Sequence, residues 1–413
     1  MQSILIHSIG TLAGVWRQAP KRPLRGASLA SLPVENDCWL SIRDGLIEDW
    51  GPMDTCPASD CDILMDAKKG TVLPSWCDSH THLVYAGSRE REWVDKLNGL
   101  SYQEVARRGG GILNSVALLH ETPEQDLLSQ SLARAREIIR QGTGAVEIKS
   151  GYGLSLEDEM KMLRVARSID EQTPLTVKTT LLAAHAVPVR YAGCRERYVD
   201  EIITEMIPAV AAEGLAQYVD IFCEEGFFTV EDAARIFETA SKYGLVPKVH
   251  ANQLSASGGV EIGIKYGAAS VDHLECTGPE QWKALASSDT IATLLPGATF
   301  FMDLDYCNAR GLIDSGAAVA LASNYNPGSC PGGDMKFMCS LASIAMKMLP
   351  SEALNAATLN GAFAMGVEKF LGSISPGKKA NLQILSALPS LDHLTYAFNT
   401  SYIKTIILDG KII

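Results

Sequence analysis

The sequence is poor in the features that mark several classes of protein. It has 36 Lys and Arg against 48 Asp and Glu, which gives a formal net charge of -12 at pH 7. This shortage of positive charge argues against nucleic acid or an acidic membrane surface as a partner, because basic patches bind both. The longest apolar stretch, residues 290–302, contains Pro296 and Gly297 and is too short to cross a bilayer.

Paired cysteines and a nucleotide-binding loop are missing as well. The ten cysteines are scattered without a C-x-x-C pair, and residues 1–10 have no basic segment and too short an apolar run for a signal peptide. We therefore expect reduced thiols in the cytoplasm. Cys77 is expected to be a small buried residue rather than a nucleophile. No G-x-G-x-x-G follows a strand-like run, which disfavours an open nucleotide-binding sheet.

The middle of the chain alternates between strand-like and helical patterns. Residues 125–141, for example, carry apolar side chains at helical spacing. Eight buried-type strands separated by helices predict a (β/α)8 TIM barrel, an α/β fold, over residues 69–372. Both ends, residues 1–68 and 373–413, read as short strands and turns, which predicts one small composite β-sandwich domain. The predicted barrel strands are residues 71–73, 145–148, 176–182, 218–222, 246–249, 268–271, 290–295 and 317–322.

Histidines gather at the carboxyl ends of the predicted strands, where barrel enzymes carry their chemistry. The five that do so are His80, His82, His185, His250 and His273. His80 and His82 form an H-x-H pair whose rings project to one side, and Asp78 is expected to orient a ring. With His250 they suit Zn²⁺ or Fe²⁺ and leave a position open for water. His273 is expected to polarise a substrate carbonyl.

Three other features of the same rim have less definite interpretations. Glu224 follows the fourth strand and is expected to be a structural carboxylate, with a ligand to a second metal as the alternative. Lys149 ends the second strand, and we expect a structural role for it. Residues 107–111, R-R-G-G-G, form either a loop that closes over substrate or a plain turn.

Seven long motifs, spread over nearly the whole chain, match the pattern of a known enzyme family. They are H-T-H-L-V-Y-A-G-S-R (80–89), E-I-K-S-G-Y-G-L (147–154), A-A-H-A-V-P (183–188), K-V-H-A-N-Q-L-S (248–255), D-H-L-E (272–275), L-L-P-G-A-T-F-F (294–301) and N-P-G-S (326–329). In these motifs the chain resembles the imidazolonepropionase family of the amidohydrolase superfamily. The resemblance implies a metal-dependent barrel with a composite β domain and one Zn²⁺ or Fe³⁺. It also implies hydrolysis of the cyclic amide bond of 4-imidazolone-5-propanoate to N-formimidoyl-L-glutamate in histidine degradation, and it makes a homodimer plausible.

The same resemblance implies the residues of the site. The metal ligands would be His80, His82, His250 and the residue at position 324. The substrate-binding residues would be Arg89, Tyr102, Tyr152, His185, Gln253, Asn326, Gly328 and Ser329. The planar guanidinium of Arg89 suits the substrate carboxylate, with a surface salt bridge as the alternative. Tyr152 could instead be a packing residue, and residues 326–329 a plain turn.

Position 324 departs from the family pattern, because Asn324 stands where the family has an Asp that binds metal and acts as general base. An amide offers a carbonyl oxygen but cannot take up a proton at neutral pH. We hypothesise that the three histidines keep the metal while turnover by Asn324 and His273 falls or is lost. Two alternatives are another cyclic amidase or deaminase of the superfamily, and a catalytically silent protein that only binds substrate.

Overall fold

The computed structural model describes residues 2–58, 60–100 and 110–413. Its strands form two eight-stranded sheets. In chain order the strands are β1 (Ser3–Ala13), β2 (Val34–Arg43), β3 (Leu46–Pro52), β4 (Ile63–Asp66), β5 (Thr71–Pro74), β6 (Trp76–Thr81), β7 (Thr143–Lys149), β8 (Thr176–Ala184), β9 (Tyr218–Cys223), β10 (Val246–Ala251), β11 (Ser270–His273), β12 (Ile291–Leu294), β13 (Val319–Leu321), β14 (Leu382–Leu385), β15 (Ile403–Leu408) and β16 (Lys411–Ile412). Among the described residues no helix is long and apolar enough to span a membrane.

The strands β6 to β13 form the barrel, and each pairs in parallel with the next along the chain. All of their residues are buried except at the starts of β8 and β10, as expected for strands covered on both faces. The seam between β13 and β6 is closed by the chain just after β13, where the Asn324 N–H donates to the His80 carbonyl at 3.0 Å and the His82 N–H to the Tyr325 carbonyl at 2.9 Å. This nearly closed barrel confirms the predicted fold class.

Helices connect the barrel strands and cover them from outside. Their bounds are Glu90–Leu97, Ile112–Glu121, Glu124–Arg140, Leu156–Gln172, Arg195–Glu201, Ile207–Ala212, Val230–Lys242, Gly259–Lys265, Pro279–Ala286, Pro296–Met302, Ala309–Asp314, Met335–Ile344, Pro350–Ala357, Leu359–Ala364 and Asp392–Tyr396. A π-helical turn, Ile202–Met206, interrupts one of them. Pro208 follows it and lacks the N–H that a regular helix would use there.

The remaining strands, from both ends of the chain, form the second sheet in the order β16-β15-β14-β5-β1-β2-β3, with β4 also paired to β1. The hydrogen bonds therefore join these strands into one continuous sheet, whereas a β-sandwich has two separate sheets. Apolar side chains from six of its strands nevertheless share one buried cluster, which includes Ile6, Leu40, Ile47, Val72 and Leu382. The composite origin of this β domain is as predicted.

The first predicted barrel strand was wrong. Thr71–Pro74 pairs with β1 and β14 and belongs to the terminal sheet, while Trp76–Thr81 is the barrel strand that leads to the histidine pair. The apolar pattern cannot separate the two, because both strands are buried throughout and only Ser75 lies between them. The domain limits at residues 68/69 and 372/373 stay a prediction, and this pairing favours a first limit near residue 75.

Candidate metal and substrate site

Three buried histidines converge at the carboxyl ends of two barrel strands. His80 lies in β6, His82 follows it directly, and His250 lies in β10. One side-chain nitrogen of each lies within 4.8 Å of the others, and the Nε2 atoms of His82 and His250 are 3.3 Å apart. The buried Nε2 of His80 has no hydrogen-bond partner in the described part of the chain. Three imidazole nitrogens so close together, one of them without a hydrogen-bond partner, fit a transition-metal ion.

Carboxylates behind the cluster orient two of the rings. Oδ2 of Asp272 lies 2.6 Å from Nδ1 of His80, and Oδ2 of Asp220 lies 3.0 Å from Nδ1 of His250. A carboxylate that accepts the Nδ1 proton leaves the lone pair of Nε2 available to a metal. Asp220 lies in β9 and Asp272 in β11, on either side of β10, and both side chains are buried.

The prediction that Asp78 orients a ring was wrong. Its Oδ1 accepts the Ser323 N–H at 2.9 Å, and its Oδ2 accepts the Ser323 hydroxyl at 2.5 Å. The Ser323 N–H and hydroxyl lie at the seam where β13 meets β6, and buried donors of this kind need a hydrogen-bond partner. Asp78 therefore closes the barrel, and Asp272 orients His80 in its place.

A buried lysine joins the carboxylates behind the metal cluster. Nζ of Lys149 lies 2.7 Å from Asp220, 2.7 Å from Glu147 and 3.6 Å from Asp272. Burial alone would lower the pKa of Lys149, but the three carboxylates raise it above its ordinary value, so the amine stays charged. Lys149 therefore has the structural role that was expected. This one cation contacts both Asp220 and Asp272, the carboxylates that orient metal-binding rings.

The three clustered imidazoles are in the form that binds metal. Burial, the largest cause in each case, lowers the pKa of His80, His82 and His250 below the ordinary value. Mutual repulsion with neighbouring histidines lowers it further. Neutral imidazoles are the protonation state that ligation requires, so no proton has to leave these rings at neutral pH.

Asn324 lies directly beside this cluster. Its backbone has φ 58°, a left-handed conformation that Asn tolerates better than most residues. Its Oδ1 is buried and has no hydrogen-bond partner among residues that the structure describes. An amide oxygen held in this way can face a metal or a water molecule, but it has no proton-accepting carboxylate.

His273 approaches the cluster from the end of β11. Its ring centroid lies 5.4 Å from that of His250 and 5.7 Å from that of His80. Its backbone has φ 85°, and Leu274 follows with φ 73°. Two consecutive left-handed residues are strained, and such strain is often found at functional sites. The sharp turn brings the His273 side chain to the same cavity as the metal cluster.

A cavity of about 180 Å³ opens in front of the histidines and brings the predicted site together. The predicted residues in its wall are His82, Arg89, Tyr152, His185, His250, Gln253, His273, Asn324, Asn326, Gly328 and Ser329. Tyr102 and residues 107–109 lie outside the described residues. The sequence analysis missed the apolar part of the wall, which consists of Ile112, Phe222, Phe227 and Met302. Of these, only Phe222 carried a usable signal, because it lies near the end of a predicted strand.

Arg89 faces this cavity, although it also forms the salt bridge considered as its alternative role. Its side chain is only 13% exposed and pairs with Glu92. The guanidinium packs against the backbone of Gly328, where an added Cβ would lie 2.2 Å from Nη1. A glycine at this position is therefore needed to let the guanidinium reach the cavity wall.

The loop after β13 is shaped mainly by Asn326. Its Oδ1 accepts the N–H groups of Gly328 and Ser329, both at 2.8 Å. Its Nδ2 donates to the Asn324 carbonyl at 2.6 Å and the Ser329 hydroxyl at 2.8 Å. Asn326 thus uses its polar atoms to form the turn, while the turn as a whole lines the cavity.

His185 and Tyr152 line the wall next to the metal cluster. The His185 ring stacks on His82 with centroids 5.1 Å apart, and its Nδ1 lies 3.0 Å from the Gly151 carbonyl. That carbonyl can only accept, so Nδ1 carries the proton and Nε2 keeps a lone pair. Burial lowers the pKa of His185 to about 3. Burial also raises the pKa of Tyr152, which keeps its hydroxyl protonated.

The Glu224 carboxylate forms hydrogen bonds with nearby residues of the protein. It accepts the N–H of Leu254 at 2.9 Å, the N–H of Glu225 at 3.1 Å and the hydroxyl of Ser255. In the described residues the metal-binding group contains the three histidines and no carboxylate. These contacts favour the structural role, in which Glu224 holds the loop that carries Gln253.

Comparisons with known proteins agree with this geometry. The amidohydrolase family model matches residues 71–413. An imidazolonepropionase of Flavobacterium johnsoniae is 48% identical over 99% of each chain. One of Christiangramia forsetii is 46% identical over the full length of both, and one of Geobacillus kaustophilus is 40% identical over 98% of this chain and 95% of its own.

Solved structures of more distant enzymes share the fold. E. coli guanine deaminase superimposes with a TM-score of 0.73 at 14% identity, covering 100% of this chain and 99% of its own. A zinc-bound adenosine deaminase of Xanthomonas campestris gives 0.71 at 16%, covering 100% and 92%. By its sequence over the full length and by its fold, the chain belongs to the imidazolonepropionase branch of the amidohydrolase family.

Proposed function

We propose that this chain hydrolyses the ring C–N bond of 4-imidazolone-5-propanoate to give N-formimidoyl-L-glutamate. One observation carries the proposal: His82 and His250, two of the three clustered neutral imidazoles, line the same cavity as the Arg89 guanidinium. The chain is also 48% identical to an enzyme named for this reaction. An anionic cyclic amide is the kind of substrate that a metal cluster and a carboxylate-binding arginine can hold together.

The metal would be one Zn²⁺ or Fe³⁺, held by His80, His82 and His250, with Oδ1 of Asn324 as a fourth donor. When bound, such an ion supplies an electrophilic centre that acidifies water and polarises a carbonyl. The residues fit it, because Nε2 of His80 and Oδ1 of Asn324 are buried and lack partners within the described chain. Asp272 and Asp220 keep two of the rings in the correct tautomer.

The cavity wall orients the substrate. Arg89 binds the propanoate carboxylate, which fixes one end of the molecule. The Nε2 lone pair of His185 accepts a ring N–H, and the protonated Tyr152 hydroxyl donates to a ring acceptor or to the carboxylate. Gln253 and the loop at residues 326–329 form the remaining polar part of the cavity wall. Held in this way, the ring carbonyl faces the histidine cluster.

The reaction adds the hydroxyl of water to the carbonyl carbon, breaks the ring C–N bond and delivers a proton to the departing nitrogen. His273 is placed to stabilise the negative charge that develops on the carbonyl oxygen. Asn324 holds the attacking water through its amide oxygen but cannot take its proton. We therefore expect slow turnover by this chain, with Asn324 as the residue that limits it.

The proposal is tested by loading the protein separately with Zn²⁺ and Fe³⁺ and following loss of the imidazolone chromophore. Ring opening of 4-imidazolone-5-propanoate, with no activity on hydantoins, adenosine or guanine, is the expected result. Faster turnover of one of those other substrates would contradict it. Binding of the imidazolone without any turnover by either metal form would identify a catalytically silent homologue.

We also propose a cytoplasmic location and a homodimer. All ten cysteines are free, which fits a reducing compartment. The dimer is implied by the family resemblance alone, and light scattering of the purified protein tests it. A monomer at micromolar concentration would contradict it.

A further inference from the structure

Glu92 is a buried carboxylate next to Arg89 that the reaction itself does not use. It lies in the helix Glu90–Leu97, one turn after Arg89, and its side chain is 11% exposed. Its Oε2 accepts Nε of Arg89 at 2.9 Å and Nη2 at 2.7 Å. One carboxylate oxygen therefore holds a whole edge of the guanidinium.

The same carboxylate is itself fixed by the chain that enters the next helix. Oε2 also accepts the Gly111 N–H at 3.0 Å, and Oε1 accepts Nδ2 of Asn114 at 3.1 Å. Burial would raise the pKa of Glu92, but the hydrogen bonds from Arg89, Gly111 and Asn114 lower it, so the carboxylate stays ionised. A group with four accepted hydrogen bonds has little freedom to rotate.

The guanidinium of Arg89 is consequently held from two sides. Glu92 binds its Nε and Nη2 atoms, and Gly328 lies against Nη1 so closely that an added Cβ would be 2.9 Å from Cζ. Arg89 and Gly328 both line the substrate cavity, while Glu92 does not. Glu92 thus acts on the cavity wall through Arg89 itself and through Gly111, the residue before Ile112.

We infer that Glu92 is a positioning residue that fixes Arg89 for recognition of the substrate carboxylate, and so sets the preference of the site for anionic imidazole-like ligands. This inference rests on the proposed function. Glu92 also brings a negative charge close to an anion site, which by itself would weaken anion binding. We expect the fixed orientation to outweigh this repulsion, because Glu92→Gln would remove the charge from the Arg89 contact and place an NH₂ against Nδ2 of Asn114, so that the side chain is held less firmly.

The test measures binding of two imidazole ligands that differ only in charge, 3-(imidazol-4-yl)propanoate and its neutral propanamide, to the metal-loaded protein by calorimetry. We expect Glu92→Gln to weaken propanoate binding by about tenfold and to change propanamide binding less than about twofold, a loss typical of one charge-assisted contact. With the true substrate, KM should rise by a similar factor while kcat changes little. Glu90→Gln is the matched control, because it removes the same charge from the same helix at an exposed residue that bonds Ser88.

Three outcomes would overturn the inference. Equal weakening of both ligands would show a general structural role for Glu92. Tighter binding of propanoate by Glu92→Gln would show that the repulsive charge dominates. In an Arg89→Met background, Glu92→Gln should have little further effect, and an undiminished effect would show that Glu92 does not act through Arg89. If the unaltered protein binds both ligands equally, the proposed function fails first, and the inference fails with it.

Discussion

At the scale of single residues, we expect the chemistry of this chain to depend on Asn324. The residue is buried, and its Oδ1 has no hydrogen-bond partner among the described residues, so the oxygen is available to a metal or a water molecule. It lacks only the negative charge and the proton-accepting capacity of a carboxylate. Family membership is shown over the full length, so we expect this difference to change the rate of the reaction rather than its kind.

Restoring the carboxylate should restore the rate. We expect Asn324→Asp to raise kcat by about 100-fold or more, since a positioned general base contributes about that much. Metal content and KM should change far less than kcat. Steady-state kinetics with metal analysis on both proteins provide the measurement. Equal kcat values in the two proteins, at equal metal content, would show that Asn324 does not limit turnover.

A second residue, Lys378, is buried without a carboxylate among the described residues close enough to pair with it. Its Nζ donates to the Leu371 carbonyl at 2.9 Å and the Ser373 hydroxyl at 2.8 Å. Burial lowers the pKa of Lys378 from the ordinary 10.5 to about 8. Between those pH values the unfolded chain binds more protons than the folded one, so this residue makes stability rise with pH.

The contribution of Lys378 is measured against Lys378→Met by denaturant unfolding at pH 7, 8, 9 and 10. We expect the unaltered protein to gain up to ~3 kcal/mol relative to the variant between pH 8 and 10.5, from 1.36 kcal/mol per pKa unit. Below pH 8 the difference should be constant. Other titrating groups cancel in the comparison. A difference that does not change with pH would mean that Lys378 titrates normally.

At the scale of elements, the loop after β13 connects the metal cluster to the carboxylate-binding wall. Asn324 closes the barrel seam, Asn326 forms the turn, and Gly328 allows Arg89 to pack against it. In the proposed function, one short segment would therefore contribute to both chemistry and substrate binding. Its backbone, more than its side chains, determines where the guanidinium lies.

A methyl group at Gly328 should displace Arg89. We expect Gly328→Ala to raise KM by about tenfold, because its Cβ would overlap Nη1 and weaken a charge-assisted contact. Gly332→Ala is the control in the same loop, since its Cβ would meet nothing within 4 Å. Steady-state kinetics on both variants measure the two KM values. Similar KM values in the two variants would contradict this packing.

At the scale of the whole molecule, the metal site joins distant parts of the chain. His80 lies in β6 and His82 just after it, His250 lies in β10, and Asn324 follows β13, so an ion there would hold the barrel closed. Binding to the folded state alone raises stability by mass action. None of the three clustered histidines belongs to the terminal sheet in the part of the chain that the structure describes.

Metal removal should therefore lower stability as well as activity. We expect chelation to lower the thermal midpoint, with a loss of about 4 kcal/mol if the free metal was at 1,000 times its Kd. His250→Ala should melt at the same temperature with and without chelator. His120→Ala, which alters an exposed histidine, should keep the full difference. A chelator effect that persists in His250→Ala would mean that the metal is held elsewhere.

Most of the fold was predictable because burial leaves a regular pattern. Seven of the eight barrel strands were predicted at their observed places, and the alternation with helices gave the barrel. The exception was Thr71–Pro74, where two buried strands follow each other with one residue between them. The helix Met335–Ile344 ends shortly before Lys347, which has a left-handed backbone, and Pro350 begins the next helix.

The sequence by itself determined the family, the histidines at the strand ends and the amide at position 324, since residue types and motif order carry these directly. Only the tertiary structure decided which side chains orient the histidines and Arg89. Asp272 in place of Asp78 orients His80, Lys149 joins the carboxylates, and Glu92 fixes Arg89. These contacts depend on which side chains meet across strands far apart in the chain, and local pattern does not record that geometry.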